Sequence, residues 1–284
     1  MSGDVRTIRL RLAYDGTGYS GWQIQPGLAT VQGMLAEAIR RVSGEEVVPR
    51  GSSRTDAGVH ALDQVVAFTT ASPLEPEVWV RAVNAYLPAD ITVTAGDLAP
   101  PSFDPVGAAI RKRYRYRIYD AAAKPVLCRQ FVWRWRGRLD VAAMEAAAPA
   151  LVGEHDFTSF ESTLSPRRSK VRTIHSLTVR RPILPDGVSD GLPGNPTATE
   201  VWIEVEGNGF LYNMVRIIAG SLVMVGAGKR SPGWLGEALV AKSRPAAGPT
   251  APPQGLVLVS ISLAPDPLQP PSPPCPSSPN DSAP

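Results

Sequence analysis

The sequence predicts an α+β protein with mainly antiparallel sheets. Segments with helical periodicity and segments with strand-like alternation mix along the chain without a strict strand–helix–strand order, which favours this class over a parallel, doubly wound sheet. The chain has 284 residues, of which 43% are hydrophobic, and this is enough to form a sizeable core. Its length is typical of two domains or one large one, and we expect two, at 1–105 and 106–264.

The first half of the chain shows five elements in the order strand, helix, strand, helix, strand. Its first helix has the clearest signals, because Thr30 is a suitable N-cap, Gly44 can end the helix, and apolar residues recur between them at helical spacing. The second helix begins with Pro76 near its N-terminus. The predicted strands are 8–14, 62–69 and 91–98, and the predicted helices are 31–43 and 75–87.

The second half repeats a similar element content, although no sequence motif is repeated. Its predicted strands are 113–119, 131–136, 171–179, 199–206 and 256–263, and its predicted helices are 141–151, 210–225 and 232–242. Helix 141–151 is rich in alanine, and helix 210–225 is almost entirely apolar. From Pro265 onward nine of the twenty residues are proline, which predicts a disordered tail at 265–284.

Composition disfavours several classes of protein. No segment reaches the roughly 18 consecutive apolar residues of a membrane-spanning helix, and the chain begins without a hydrophobic signal region. Two cysteines, Cys128 and Cys275, cannot form a disulfide framework, and three scattered histidines lack the spacing of a zinc site. We therefore expect a soluble, cytoplasmic protein that binds no metal and no membrane.

The basic residues are clustered, although the net charge is only +3. Between Arg111 and Arg138 ten Lys/Arg residues accompany a single acid, Asp120. A second run follows, with Arg167, Arg168, Lys170 and Arg172 and no acid among them. Such clusters are typical of a protein with a polyanionic partner. A solvated arginine-rich face explains them equally well, and charge alone does not decide between the two.

Residues 16–21, Gly-Thr-Gly-Tyr-Ser-Gly, match the glycine pattern of dinucleotide-binding folds. That pattern requires a helix to begin at the loop, so that the helix N-terminus can receive the pyrophosphate. Here Trp-Gln-Ile-Gln-Pro-Gly follows, which does not resemble a helix start. We therefore expect no nucleotide cofactor at this loop, and no GxxxxGK[ST] loop occurs elsewhere in the sequence.

Two predicted strands alternate strictly between aromatic and basic residues. In strand 113–119, Tyr114 and Tyr116 share one face while Arg113, Arg115 and Arg117 share the other. Strand 131–136 likewise alternates Phe131, Trp133 and Trp135 with Val132, Arg134 and Arg136. The aromatic face is either core or, near a strand end, a surface on which unstacked bases stack. Core packing is the favoured interpretation for most of these rings.

Residues 54–60, Arg-Thr-Asp-Ala-Gly-Val-His, form a loop between two short strands, and this loop carries one carboxylate, Asp56. Without other information, such an aspartate is expected to cap a turn. The predicted helix 210–225, however, contains a single charged residue, Arg216, among apolar neighbours. Burial of this charge would be costly unless a carboxylate met it. The pattern alone leaves open which carboxylate that is.

The loop around Asp56 is one of six blocks that together resemble a known family. GSSRTDAGVHALDQVVAF resembles the catalytic segment of the TruA-type tRNA pseudouridine synthases, and YDGTGYSGWQIQ with VQGMLAEAI resembles their N-terminal signature. The other blocks, in the family's order, are RKRYRYRIY, GEHDFTSF, NGFLYNMVRIIAGSLVMVG and APPQGLVLVSI. They span residues 10 to about 263, and the glycine pattern at 16–21 is the family's first loop.

This resemblance implies isomerisation of uridine to pseudouridine at positions 38–40 in the anticodon arm of tRNA. The glycosidic bond breaks, the uracil turns in its pocket and C5 joins C1′, so no redox change or hydrolysis occurs and no cofactor is needed. The family's fold implies two α/β domains whose RNA-recognition-like sheets flank a positively charged cleft. It also implies a homodimer in which one tRNA contacts both subunits.

The resemblance also implies roles for individual residues. Asp56 matches the aspartate that starts catalysis, either as a nucleophile toward C1′ or as a base that leads to a glycal, and both routes stay open. A carboxylate that must remain ionised in a site closed to water needs a nearby cation, for which Arg216 is the candidate. Tyr114 matches the tyrosine that stacks on the target base and could accept the proton from C5. Arg54 would fill the space left by the flipped nucleotide, and Leu256 would line the base pocket.

The chain departs from the family at three places. Ser53 precedes Arg-Thr-Asp where the family often has glycine, and Asp63 stands where glycine is usual. The Arg-Phe pair that often follows the Phe-Asp element is missing at 106–107. Because that basic contact is lost, we expect tRNA binding to depend more on other basic residues, namely Arg111, Arg113, Arg167, Arg168 and Lys170.

Two other functions compete with the isomerase. A binding module that holds tRNA without catalysis is disfavoured, because Asp56 lies within an intact motif. A nicotinamide-dependent oxidoreductase that uses loop 16–21 is disfavoured, because no helix is predicted to begin there.

Overall fold

The computed structural model describes residues 5–162, 169–182 and 199–264, and within these ranges the chain forms ten strands and five α-helices. The strands are β1 (Arg6–Tyr14), β2 (Arg50–Gly51), β3 (His60–Thr70), β4 (Ile91–Ala99), β5 (Ala109–Tyr119), β6 (Trp133–Arg134), β7 (Gly153–Asp156), β8 (Val171–Arg180), β9 (Glu200–Gly207) and β10 (Leu256–Leu263). The helices are α1 (Val31–Ser43), α2 (Pro76–Asn84), α3 (Val141–Ala147), α4 (Met214–Gly226) and α5 (Trp234–Val240).

All ten strands belong to one sheet, with the order β4-β1-β3-β10-β5-β9-β8-β7, to which β2 and β6 add at β3 and β5. Most pairs are antiparallel, but β10 runs parallel to β3, with Val257 opposite His60. On its other side β10 is antiparallel to β5. The predicted α+β class with mainly antiparallel pairing is confirmed. The two expected sheets are one sheet, because the last strand inserts between the two halves.

Helix α1 follows the predicted pattern closely. The Thr30 hydroxyl accepts from the Gly33 N–H at 3.3 Å, and Gly44 ends the helix with a left-handed φ of 76°. Leu35 and Ile39 project from the apolar side of the helix and are fully buried. They belong to the same core as the inward-facing residues of β1, so α1 covers one face of the sheet.

Helix α4 is buried along most of its length, as its apolar sequence predicts. The segment 247–251 lies directly against it, because Gly220 has no side chain. A Cβ at Gly220 would be 1.8 Å from the Pro249 carbonyl oxygen. Close to this contact, the Ala251 N–H donates to the Arg216 carbonyl at 3.1 Å. This close packing therefore places segment 247–251, which precedes β10, next to Arg216.

Several predicted elements differ from the structure in their bounds, and three of these differences have a local cause. Helix 210–225 begins only at Met214, because Asn213 has a φ of 61° that an α-helix does not accept. Helix 141–151 ends at Ala147 and continues as a 3₁₀ turn that contains Pro149, which lacks a backbone donor. Strand 131–136 contracts to Trp133–Arg134, and Val132 on its expected outer face is buried. There the rings of Trp133 and Trp135 pack edge to face on each other, 5.3 Å apart.

Strand β7 was not predicted, because four residues carry too little alternation to be recognised. Strand β2 agrees with the expectation that the loop 54–60 lies between two short strands. No helix in the described part of the chain is long and apolar enough to cross a membrane. The tail at 265–284 lies outside the described residues. The division into 1–105 and 106–264 stays a prediction.

Candidate active site

The loop that carries Asp56 connects β2 to β3 and lies against the glycine-rich first loop. The Trp22 N–H donates to the Thr55 carbonyl at 3.0 Å, and the Tyr14 and Thr55 hydroxyls are 2.8 Å apart. Gly21 has a φ of 89°, and a Cβ there would be 2.7 Å from the Thr55 carbonyl oxygen. The glycine-rich loop therefore supports the Asp56 loop. No helix begins at residues 16–21, as predicted.

The structure brings Asp56 and Arg216 together although 160 positions separate them in the sequence. Arg216 Nη1 donates to Asp56 Oδ2 at 3.1 Å. The pair is largely shielded from solvent, because the Arg216 side chain is 15% exposed and the Asp56 side chain is 26% exposed. The lone charge on the apolar helix therefore meets a carboxylate, as its sequence context required.

Two further hydrogen bonds of Arg216 are directed to neutral oxygens. Its Nε donates to the Ala251 carbonyl, and its Nη1 donates to Asn213 Oδ1, both at 2.8 Å. Asn213 in turn donates from Nδ2 to the Ser162 hydroxyl at 2.8 Å. The guanidinium is therefore fixed from three sides, while Asp56 is its only acidic partner among the described residues. Sequence reasoning missed Asn213, because it placed this residue inside the predicted helix 210–225.

Tyr114 is nearly buried, with 6% of its surface exposed, on the β5 face toward α4. Its hydroxyl is 2.8 Å from Ser53 Oγ, and the ring of Phe210 meets it edge to face with centroids 5.3 Å apart. Burial raises the pKa of Tyr114 to about 12, and the Ser53 hydrogen bond opposes this rise. The phenol is therefore protonated at neutral pH. Phe210 was predicted only as part of a helix.

A cavity of about 950 Å³ opens beside the Asp56–Arg216 pair. Its size lies within the range of roughly 300–1,000 Å³ that is common for small-ligand sites. Arg54 is exposed at the cavity, and Leu256 is buried against it. The structure therefore gathers five predicted residues around one space, namely Arg54, Asp56, Tyr114, Arg216 and Leu256. No group of three or more His, Cys, Asp or Glu within the described ranges is arranged to hold a metal ion.

Of the predicted peripheral basic residues, the structure describes Arg111, Arg113 and Lys170, and none of these three lines the cavity. Arg111 and Arg113 lie on the face of β5 opposite Tyr114 and both pair with Glu206, at 3.0 and 2.8 Å. Lys170 forms an ion pair with Glu161. Arg167 and Arg168 lie outside the described residues. Four arginines of the basic run therefore have acidic partners in β9, from a distant part of the sequence, namely Arg111, Arg113, Arg115 and Arg117.

Two of the departures from the family are explained by local contacts. Asp63 accepts from Arg11 Nη1 at 2.6 Å, so the carboxylate pairs with an arginine that is nearly buried. At 106–107 the chain forms a turn in which the Val106 and Gly107 N–H groups donate to the Asp104 carboxylate, each at 3.2 Å. Val106 lines the cavity there, so an apolar residue occupies the place of a basic one.

Comparison with known proteins agrees with this geometry. A family model described as "tRNA pseudouridine synthase" matches residues 12–105 and 147–262. The chain is 44% identical over 257 residues to the tRNA pseudouridine synthase A of Geotalea uraniireducens, with 90% of this chain and 99% of that protein covered. The enzyme of Brevibacillus brevis gives the same values, and that of Moorella thermoacetica is 41% identical over 256 residues, with 89% and 98% covered.

The matches define the class of protein as an RNA-modifying isomerase that forms pseudouridine. Within this class, the chain belongs to the TruA family of tRNA pseudouridine synthases. The resemblance carried by the six sequence blocks is thereby confirmed.

Proposed function

We propose that this protein isomerises uridine to pseudouridine at positions 38–40 in the anticodon arm of tRNAs. The observation that carries the proposal is the Asp56 carboxylate, which lies 3.1 Å from the Arg216 guanidinium beside a cavity that Tyr114 also lines. A carboxylate, a fixed cation and a buried aromatic ring around one cavity supply a nucleophile or base, its charge partner and a surface for an extruded base.

Asp56 starts the reaction by one of two routes. As a nucleophile, it attacks C1′ while the C1′–N1 bond breaks and its electron pair moves to the uracil. The uracil then turns, C5 bonds to C1′, the carboxylate leaves and C5 loses its proton. As a base, it removes the proton from C2′, and a glycal forms while the uracil departs with the electron pair of the C1′–N1 bond. C5 then bonds to C1′ of the glycal, and C2′ takes back a proton. In both routes C5 releases its proton to water and N1 takes up a proton. Both routes need an anionic carboxylate, and Arg216, whose Nη1 lies 3.1 Å from Asp56 Oδ2, is its charge partner.

Tyr114 provides the surface on which the target base stacks. Because burial raises the pKa of Tyr114 to about 12, its phenol is protonated at neutral pH, and stacking is a better-supported role than proton acceptance from C5. Leu256 is buried and supplies an apolar wall on the same cavity. Apolar and aromatic walls exclude the water that would compete for the activated sugar.

Arg54 occupies the space left when the nucleotide leaves its stem. Extrusion costs a few kcal/mol, which new contacts with the RNA must offset. Arg54 is exposed, lies two residues before Asp56 and is charged, so it can contact both phosphates and neighbouring bases. Its position at the cavity supports this role.

The tRNA is held by basic residues outside the cavity. We include Arg111, Arg113 and Lys170 in this group, although each is paired with a glutamate, and Arg167 and Arg168 from the sequence. We further propose a cytoplasmic homodimer in which one tRNA contacts both subunits, with units 1–105 and 106–264 on either side of the cleft. No cofactor takes part, because the isomerisation is redox-neutral.

The test uses unmodified tRNA that carries tritium at uracil C5, because this position loses its hydrogen during the reaction. The wild-type protein should release tritium, and Asp56→Asn should abolish release while its tRNA affinity stays within about twofold. Glu77→Gln, which removes an exposed carboxylate in α2, is the matched control and should be fully active. Full turnover by Asp56→Asn would contradict the assigned role. Absence of release by the wild type would contradict the isomerase itself.

A further inference from the structure

The Tyr114 hydroxyl has a single hydrogen-bond partner among the described residues, the hydroxyl of Ser53 at 2.8 Å. Both residues are buried, with 6% and 9% of their surface exposed. A polar pair that is shielded from water keeps its geometry, because each group would otherwise lose its partner without gaining a water molecule. The contact therefore restrains the phenol tip of the ring that lines the cavity.

Ser53 is itself held by the sheet rather than by its own loop. Gln64, a fully buried residue of β3, accepts from the Ser53 N–H at 3.2 Å and donates to the Ser53 carbonyl at 2.6 Å. These two bonds fix the backbone of Ser53 on both sides of its Cα. The direction of its hydroxyl is therefore set by a rigid element, which suits a residue that must position another.

The Tyr114 ring is restrained at two points. Its hydroxyl meets Ser53, and its ring meets the edge-to-face ring of Phe210 at an interplanar angle of 88°. We propose that Ser53 is a positioning residue for Tyr114, whose hydroxyl holds the phenol in the orientation that stacks on the target uracil. This inference rests on the proposed function, because it acts through the role of Tyr114 in that reaction.

A residue without a hydroxyl at position 53 would leave the phenol oxygen without its partner. The family often carries glycine there, so this chain has a means of fixing the tyrosine that those members lack. A neutral hydrogen bond of this kind contributes about 0.5–1.5 kcal/mol, which corresponds to about a 2- to 12-fold change in a rate constant. Loss of Ser53 is expected to act on the chemical step within this range and only weakly on tRNA affinity.

The experiment is a double-mutant cycle on the full-length protein, with single-turnover release of tritium from C5 and tRNA affinity as the two measurements. We expect Ser53→Ala to slow release about 2- to 12-fold with its tRNA affinity within twofold. In the Tyr114→Phe background, Ser53→Ala should cause no further slowing. Ser53→Thr retains a hydroxyl and should recover most of the wild-type rate.

Ser52→Ala is the matched control, because the Ser52 hydroxyl is buried and has no hydrogen-bond partner in the described part of the chain. It should react at the wild-type rate. The inference is overturned if Ser53→Ala reacts at the wild-type rate, or if it slows release equally with and without the Tyr114 hydroxyl. These outcomes leave the proposed function intact. That function fails only if the wild type releases no tritium or if Asp56→Asn retains full turnover.

Discussion

The two faces of strand β5 pair their charges in different ways. On one face, Arg113 and Arg115 pair with the glutamates directly opposite them in β9, both at 2.8 Å. Arg117 on the same face pairs diagonally with Glu200 at 2.7 Å. On the other face, Tyr114 is buried beside the cavity where Arg216 meets Asp56. The first face forms a ladder of ion pairs with β9, whereas the second faces a cavity that contains one isolated ion pair, Asp56–Arg216.

The ladder uses both oxygens of its carboxylates. Glu204 accepts from Arg115 on one oxygen and from Arg180 on the other. Burial alone would raise the pKa of Glu204, but the hydrogen bonds from Arg115 and Arg180 lower it below its ordinary value. Asp56, by contrast, uses only Oδ2 for a side-chain hydrogen bond within the described residues. Structural pairs are thus saturated, whereas the carboxylate at the cavity keeps one oxygen available for a substrate.

The largest expected effect on the rate comes from a comparison of two arginines, Arg216 beside the cavity and Arg117 in the ladder. Arg216→Leu should slow single-turnover tritium release about 30- to 160-fold, because removing one partner of a hydrogen-bonded charge pair that is only partly buried costs about 2–3 kcal/mol. Arg117→Leu breaks the pair with Glu200 and should lower thermal stability, with the rate of release within about twofold of the wild type. Measurement of both rates and both melting temperatures checks the contrast. Similar losses of rate in the two variants would contradict the distinction between a pair that supports the reaction and a pair that supports stability.

A smaller effect is expected in the salt dependence of tRNA binding. Replacement of both Arg167 and Arg168 by alanine should lower the slope of log affinity against log salt by up to about two. Replacement of Arg111 and Arg113 should lower it by less, because Glu206 already neutralises part of their charge. Filter binding at several salt concentrations gives both slopes. Equal slopes would mean that the glutamate pairs open on contact with RNA, and an unchanged slope for 167–168 would exclude phosphate contacts there.

Much of the local structure was predictable because short-range signals determine it. The caps of α1, Thr30 and Gly44, act through bonds within a few residues. The alternation in β5 correctly separated a buried face from a polar one, since side chains in a strand alternate by geometry. The apolar neighbours of Arg216 also predicted that a carboxylate would pair with it. That this carboxylate is Asp56 followed from the family resemblance and not from the pattern.

The remaining features depend on register and backbone conformation that the sequence does not display. The run at 111–138 appeared unbalanced because the acids that pair with its four arginines in β5 lie in β9, 83 to 95 positions away. The start of α4 was misplaced by the left-handed Asn213, a conformation that apolar periodicity does not reveal. The sequence shows Ser53 only as a departure from the family's usual glycine, because its contact with Tyr114 depends on where the sheet places β3 and β5.

The central claim is that a positive charge beside Asp56 supports the reaction. The most direct test is chemical rescue of Arg216→Ala with guanidinium at low millimolar concentration, compared with urea, which has nearly the same shape and no charge. We predict that guanidinium raises the rate of tritium release about tenfold, the value expected for one charge-assisted hydrogen bond, and that urea does not. Equal rescue by urea, or no rescue by guanidinium, would contradict the account.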